Sequence, residues 1–205
     1  PARSREGTGR AHRWFGDRGM NPGSPHDDRH LPGEDGLLPA ERKVKDVLAE
    51  LPLDFRAMWA ISNLFRSSAA IRRHMEAKVL APDRLSWTSF VGLWVLWVWG
   101  AMEAREFAAA VGISRPTATG VMTTLESRGY VTRRKDAKDG RMVIVELTTS
   151  GRDTITDLFP KFNAEESAVA AHLEPQQQED LAAMLRSLLR AVAPVAERND
   201  GPSLV

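Results

Sequence analysis

Apolar residues recur at three- and four-residue steps over long stretches of this chain. Between residues 53 and 79 they stand at Leu53, Ala57, Ile61, Leu64, Phe65, Ile71, Met75 and Val79, which is the spacing of one face of a long amphipathic helix. A shorter helix is predicted ahead of it in LLPAERKVKDVLAELPLD, residues 37–54, with Pro39 near its start and Pro52 after its end. Ala81-Pro82-Asp83 breaks the long helix, and Ser86 can cap the next one, residues 87–100. That helix contains FVGLWVLWVW and is apolar on nearly every face, so other elements should enclose it. It falls short of the roughly 20 residues that span a bilayer.

A compact series follows. Residues 104–111 read as a short helix ended by Gly112, suited to a left-handed cap. Ser114 starts another, with Pro116 in its first turn, that runs to Arg128 and stops at Gly129. Residues 130–148 read as two strands around Lys138-Asp139-Gly140-Arg141, where Asp-Gly would supply the positive φ of a tight hairpin. Ser150-Gly151 leads into a helix expected to break or kink near Pro160. A last helix after Pro175 carries Leu181, Met184, Leu185, Leu188, Leu189 and Val192 on one stripe. The fold class is mainly α with a small β-hairpin wing, a winged helix-turn-helix with helices on both sides. Residues 37–200 should form one domain.

Residues 1–36 follow no apolar period. They hold 7 of the 15 glycines and 4 of the 12 prolines, with basic and acidic residues in balance, so a disordered tail is expected. Met20 is read as the start of the native protein, the residues before it as an artefact of start assignment. No apolar run follows the N-terminal arginines, so no export signal is expected, and the reading places the protein in the cytoplasm.

Charge changes the picture only when it is mapped. The total is +1. Residues 105–152 carry a local excess of basic residues, whereas 153–200 are acidic, which suits one phosphate-binding face. There is no cysteine, which excludes disulfides, thiolate metal sites and thiol catalysis. Three of the five histidines, His12, His26 and His30, lie in the presumed tail. The chain has no His-Glu-x-x-His, nucleophile elbow or phosphate loop. Glu165-Glu166 and Glu179-Asp180 are adjacent carboxylates that point apart on a helix. No catalytic residue, metal or cofactor is expected.

The order helix, glycine turn, helix, strand, basic turn, strand carries the functional reading. A helix fits the major groove and offers its N-terminal residues to base edges. Here these are Ser114, Arg115, Pro116, Thr117 and Thr119, with Thr123 a turn further on. Arg115 can pair with guanine or phosphate, and the threonines allow close approach. Val111, Val121 and Leu125 would join the two helices. The hairpin adds Arg133, Arg134, Lys135, Lys138 and Arg141, placed to meet the phosphate backbone or the minor groove. Asp139 could hold the Arg141 guanidinium.

Residues 105–153, REFAAAVGISRPTATGVMTTLESRGYVTRRKDAKDGRMVIVELTTSGRD, resemble the MarR (multiple antibiotic resistance regulator) type of bacterial transcription factor. The resemblance lies in Leu125-Glu126-Ser127-Arg128-Gly129, Asp139-Gly140-Arg141 and Leu147-Thr148-Thr149-Ser150-Gly151, in that order. With the flanking helices it covers about residues 53–192. It implies a homodimeric repressor of double-stranded DNA, paired through helices 37–80 and 154–193, with residues 86–152 as the DNA-binding winged helix on a near-palindromic operator. Arg141 would be a minor-groove finger and Asp139 its brace. Many similar regulators release DNA when a small, often aromatic, molecule binds between dimer base and winged domain. Trp59, His74, Trp87 and Trp94 are the candidates for that site. A urate-responsive branch is also similar, but Thr88 and Val121 stand where it carries a ligand-binding Asp and Arg. The rival reading is a winged helix that binds a protein and not DNA.

Overall fold

The computed structural model describes residues 36–137 and 139–192. Lys138 and nearly all of the expected tail lie outside the described residues. The chain divides into two compact units at Ala60.

The first unit holds helix α1 (Pro39–Leu48) and the first turns of α2 (Phe55–Met75). The Leu38 N–H donates to Glu41 Oε2 at 2.7 Å, and Pro39 stands where its missing N–H is harmless. Asp54 Oδ1 accepts the Ala57 N–H at 3.0 Å and starts α2.

The second unit holds the rest of α2, a π-helical turn (Glu76–Leu80), α3 (Trp87–Trp99), β1 (Met102–Glu103), α4 (Ala104–Val111), α5 (Arg115–Ser127), β2 (Val131–Lys135), β3 (Val143–Leu147), α6 (Thr149–Ala170) and α7 (Pro175–Val192). The apolar α3 is its centre, touching α4, α5, α6 and β3. Phe90, Leu93, Val95 and Leu96 are buried, each contributing about 1.5–3 kcal/mol of transfer free energy. Gly92 leaves room for the Phe107 ring of α4, which would lie 2.7 Å from an added Cβ. Phe90 stacks on Phe162 of α6 at 4.3 Å between centroids. The enclosure expected for α3 fails only at its last turn, where Val98 and Trp99 are exposed.

The sheet is antiparallel in the order β1-β3-β2. Val145, fully buried, faces both Met102 and Arg133 in register. The two-residue β1 has no periodicity to announce it; pairing with β3 alone makes it a strand.

Three expectations are corrected. α6 runs unbroken through Pro160. The proline forfeits one helical hydrogen bond, but Ile155, Leu158 and Phe162 are buried on both sides of it and hold the helix to the core. The long helix ends at Met75, and its last turn to Leu80 is π-helical. The hairpin is wider than two residues. Met142 N–H donates to Asp139 O at 2.9 Å, and Gly140 is absent from the positive-φ positions. The Asp-Gly pair therefore sits in a turn with no left-handed residue among the described residues, because the longer loop removes the twist constraint of a tight hairpin.

The two glycine motifs meet in space. Gly129 (φ +73°) ends α5, and its carbonyl accepts the Thr148 hydroxyl at 2.6 Å. Thr148 Oγ1 also accepts the Gly151 N–H at 3.0 Å, capping α6. A Cβ at Gly151 would stand 1.9 Å from the Tyr130 carbonyl oxygen, so only glycine lets α6 start there. Gly151→Ala is expected to destabilise the protein by about 3 kcal/mol or more, lowering Tm by roughly 10 °C. Thermal unfolding followed by circular dichroism checks this; an unchanged Tm would refute the packing account.

Candidate nucleic-acid interface

α5 is divided along its length. Ala118, Met122 and Leu125 are buried, and Val111 joins them from α4 while Val121 packs half-buried beside them. Ser114, Arg115, Pro116, Thr117, Thr119 and Thr123 are all exposed. Ser114 is the N-cap: its Oγ accepts the Thr117 N–H at 3.3 Å and pairs with the Thr117 hydroxyl at 2.8 Å. The Thr119 hydroxyl donates back to the Arg115 carbonyl at 3.1 Å. The Arg115 guanidinium makes no hydrogen bond or ion pair among the described residues.

The far half of the helix is fastened. Arg133 of β2 grips Glu126 through Nε (2.9 Å) and Nη2 (2.5 Å), and its backbone N–H donates to Glu126 Oε1 at 3.3 Å. These hydrogen bonds hold the Glu126 carboxyl below its ordinary range. Arg133, counted among the basic hairpin residues in the sequence, is thus a brace between β2 and α5. Arg128 donates to the carbonyls of Asp83 (2.7 Å) and Arg84 (2.8 Å) and to the Tyr130 hydroxyl (3.1 Å). Arg84 sits at φ +50°, a conformation uncommon outside glycine. Neither Glu126 nor Arg128 was foreseen as a positioning residue. The motif contained them, but only the fold supplies their partners.

On the wing, Arg134 pairs with Glu146 across the strands at 3.3 Å. Arg141 is exposed, with its guanidinium unpaired among the described residues. Asp139 braces it differently from expectation: Oδ1 accepts the Arg141 backbone N–H at 3.0 Å, fixing the turn and leaving the guanidinium free to reach outward. Asp136 Oδ1 in turn accepts the Asp139 N–H at 2.9 Å. Between this turn and the start of α4 lies an open cleft of about 390 Å³ lined by Glu103, Arg105, Asp139 and Arg141, in which Arg105 is paired with Glu103.

Three of the proposed effector residues, His74, Trp87 and Trp94, stand against α6. Trp59 belongs to the first unit and packs beside Phe55, 5.8 Å between centroids. His74 hydrogen-bonds Glu165 of α6. Trp87 packs on Phe162 at 6.0 Å, with the Arg72 guanidinium 5.7 Å from its ring. Trp94 lies parallel to Phe159 at 6.2 Å. Trp87 and Trp94 therefore serve two different ring clusters along α6.

Residues 85–143 match the sequence model of the MarR family. A helix-turn-helix-type transcriptional regulator of Bacillus subtilis, YwaE, is 39% identical over 155 residues, 74% of this chain and 91% of that protein. The chain belongs to the MarR family of transcriptional regulators. It is a regulator and not an enzyme, with the winged-helix fold of the family. The B. subtilis repressor YetL is a more distant relative, 27% identical over 45% of this chain and 55% of its own length. Among solved structures, the repressor CouR bound to a 23-mer DNA duplex is 26% identical with TM-score 0.60, covering 68% of this chain and 98% of CouR. The Staphylococcus aureus MepR–DNA complex shares the fold at 24% identity and TM-score 0.59, over 65% and 98% of the two chains. No described helix is long and apolar enough to cross a membrane.

Because the Glu126 carboxyl is lowered in the fold, its contribution is present at neutral pH and disappears as pH falls through its folded-state value. Glu126→Gln is therefore expected to lower Tm at neutral pH and to converge with the parent protein in acid. A Tm gap that stays constant across that range would refute the ion-pair brace.

Proposed function

We propose that this MarR-family protein is a homodimeric repressor that binds double-stranded DNA at a near-palindromic operator. The observation that carries the reading is the asymmetry of α5: fastened at its far half, it presents a capped N-terminal half whose forward residues are all exposed. In this reading Ser114, Arg115, Pro116, Thr117, Thr119 and Thr123 enter the major groove, and Arg141 reaches the minor groove from a turn stiffened by Asp139. In the same reading Arg134, exposed at the surface, exchanges its Glu146 partner for a phosphate, and Lys138 contacts a second. The DNA-bound state of CouR, a fold neighbour with repressor in its name, supports the assignment.

Residues 86–152 would form the DNA-binding part, and residues 37–80 and 154–193 the dimer base. Two apolar surfaces support a second copy as the occupant. α7 exposes Leu181, Met184, Leu188, Leu189 and Val192 and buries nothing among its own residues; α2 exposes Ile61, Phe65 and Ile71. Stripes of this size seldom stay in water. Release by a small aromatic molecule belongs to the same reading, with half-exposed Trp87 under the Arg72 guanidinium as its seat.

Selection from a random duplex pool at near-physiological salt is expected to return a palindrome with half-sites about 10–10.5 base pairs apart. Arg141→Ala should weaken binding and reduce the salt slope by about one, whereas Arg115→Ala should cost about 1–3 kcal/mol and relax preference at one base pair. No enrichment, or full affinity in both variants, would favour a protein-binding wing instead. Leu188→Asp with Leu189→Asp should yield monomers in sedimentation analysis; an intact dimer would refute the base assignment.

A further inference from the structure

Three helix ends in this chain close with the same pair of backbone hydrogen bonds. After α4, the Gly112 N–H donates to the Ala109 carbonyl and the Ile113 N–H to the Ala108 carbonyl, each at 3.0 Å. After α5, the Gly129 N–H donates to the Glu126 carbonyl at 2.9 Å and the Tyr130 N–H to the Leu125 carbonyl at 3.0 Å. After the π-helical turn, the Arg84 N–H donates to the Ala81 carbonyl and the Leu85 N–H to the Leu80 carbonyl, each at 3.0 Å. The pattern needs a left-handed residue just before its last donor, and glycine is the ordinary choice there. The first two ends have glycine, at φ +71° and +73°, whereas the third has Arg84 at φ +50°. A side chain strains the backbone in that conformation, so the fold alone would favour glycine at 84.

Arg84 is exposed, and its guanidinium makes no hydrogen bond or ion pair among the described residues, not even with Asp83 beside it. Its backbone, by contrast, is held. Arg128, the C-cap of α5, donates to the Asp83 carbonyl at 2.7 Å and to the Arg84 carbonyl at 2.8 Å. Arg128 thus spends its own charge and leaves Arg84 as an unpaired cation beside the far end of α5. The 13 residues of α5 make a helix about 20 Å long, and the major groove is about 12 Å wide. A helix that offers its N-terminal half to base edges brings its far end out beside a sugar–phosphate strand. We propose that Arg84 is a DNA-binding residue whose guanidinium contacts a backbone phosphate at the far end of α5, with Arg128 as its positioning residue. The inference rests on the DNA-binding reading above and extends it to a loop ahead of residues 86–152.

The test uses the full chain and the duplex enriched from the random pool. Arg84→Gly gives the third helix end the residue of the other two. It is expected to raise Tm by roughly 2–4 °C, yet to weaken duplex binding about fivefold and lower the salt slope by about one per bound copy, with base preference unchanged. Arg84→Lys is expected to keep the parent slope. Backbone phosphates are then neutralised one at a time as methylphosphonates. One position per half-site is expected to cost the parent protein affinity and to cost Arg84→Gly nothing further. Parent affinity and slope in Arg84→Gly would overturn the inference while leaving DNA binding intact. A lower Tm in that variant would also overturn it, by showing that the arginine serves the fold. Failure to enrich any duplex would instead overturn the DNA reading itself.

Discussion

The arrangement of the winged helix depends on one close approach: the start of α6 laid against the Tyr130 carbonyl, with no room for a side chain at Gly151. That contact brings Thr148 to the carbonyl of Gly129 and so ties the end of α5 to the start of α6. The Glu126–Arg133 pair then joins α5 to β2, and Arg128 joins it to the loop before α3. Three fastenings converge on one half of a helix. The other half projects with Arg115 and short side chains toward solvent. A reading helix needs its base-facing residues held in place without being covered, and anchoring one end while exposing the other meets both needs.

The same economy governs the charges. The basic excess of residues 105–152 overstates what is available to a partner. Arg133, Arg134 and Arg105 are paired with Glu126, Glu146 and Glu103, and Arg128 is spent on carbonyls. Among the described residues, the guanidinium groups of Arg115, Arg141 and Arg152 and the Lys135 ammonium are left unpaired; Arg115 stands on the helix and Arg141 on the wing. Both stand on surfaces shaped by small residues and a stiff turn. Specificity in such a site comes from where a few cations are held, more than from the amount of charge.

The element order was legible because period and punctuation agree. Ser86 and Ser114 cap the helices that follow them, and Gly112 and Gly129 take the left-handed conformation at helix ends; the cap of α6 is Thr148, two residues ahead of the Ser150-Gly151 pair read as its lead-in. What misled were local rules applied without their context. Asp-Gly suggested a tight hairpin, but the loop between β2 and β3 is too long to impose its twist. Pro160 suggested a break or a kink, and the break does not occur, because apolar contacts on both sides outweigh one missing hydrogen bond.

By itself, then, the amino-acid sequence determined the winged-helix order, the caps at Ser86, Ser114, Gly112 and Gly129, and the small set of side chains that face outward from α5, because each follows from local periodicity and backbone preference. Only the tertiary structure decided which cations are free. Whether Arg133 meets solvent or Glu126, and whether Asp139 holds a guanidinium or a backbone N–H, depends on distances between segments that periodicity does not encode. The glycines divide in the same way. Gly151 is required by a carbonyl brought from twenty-one residues earlier in the chain, whereas Gly120 faces open space, and no local pattern distinguishes the two.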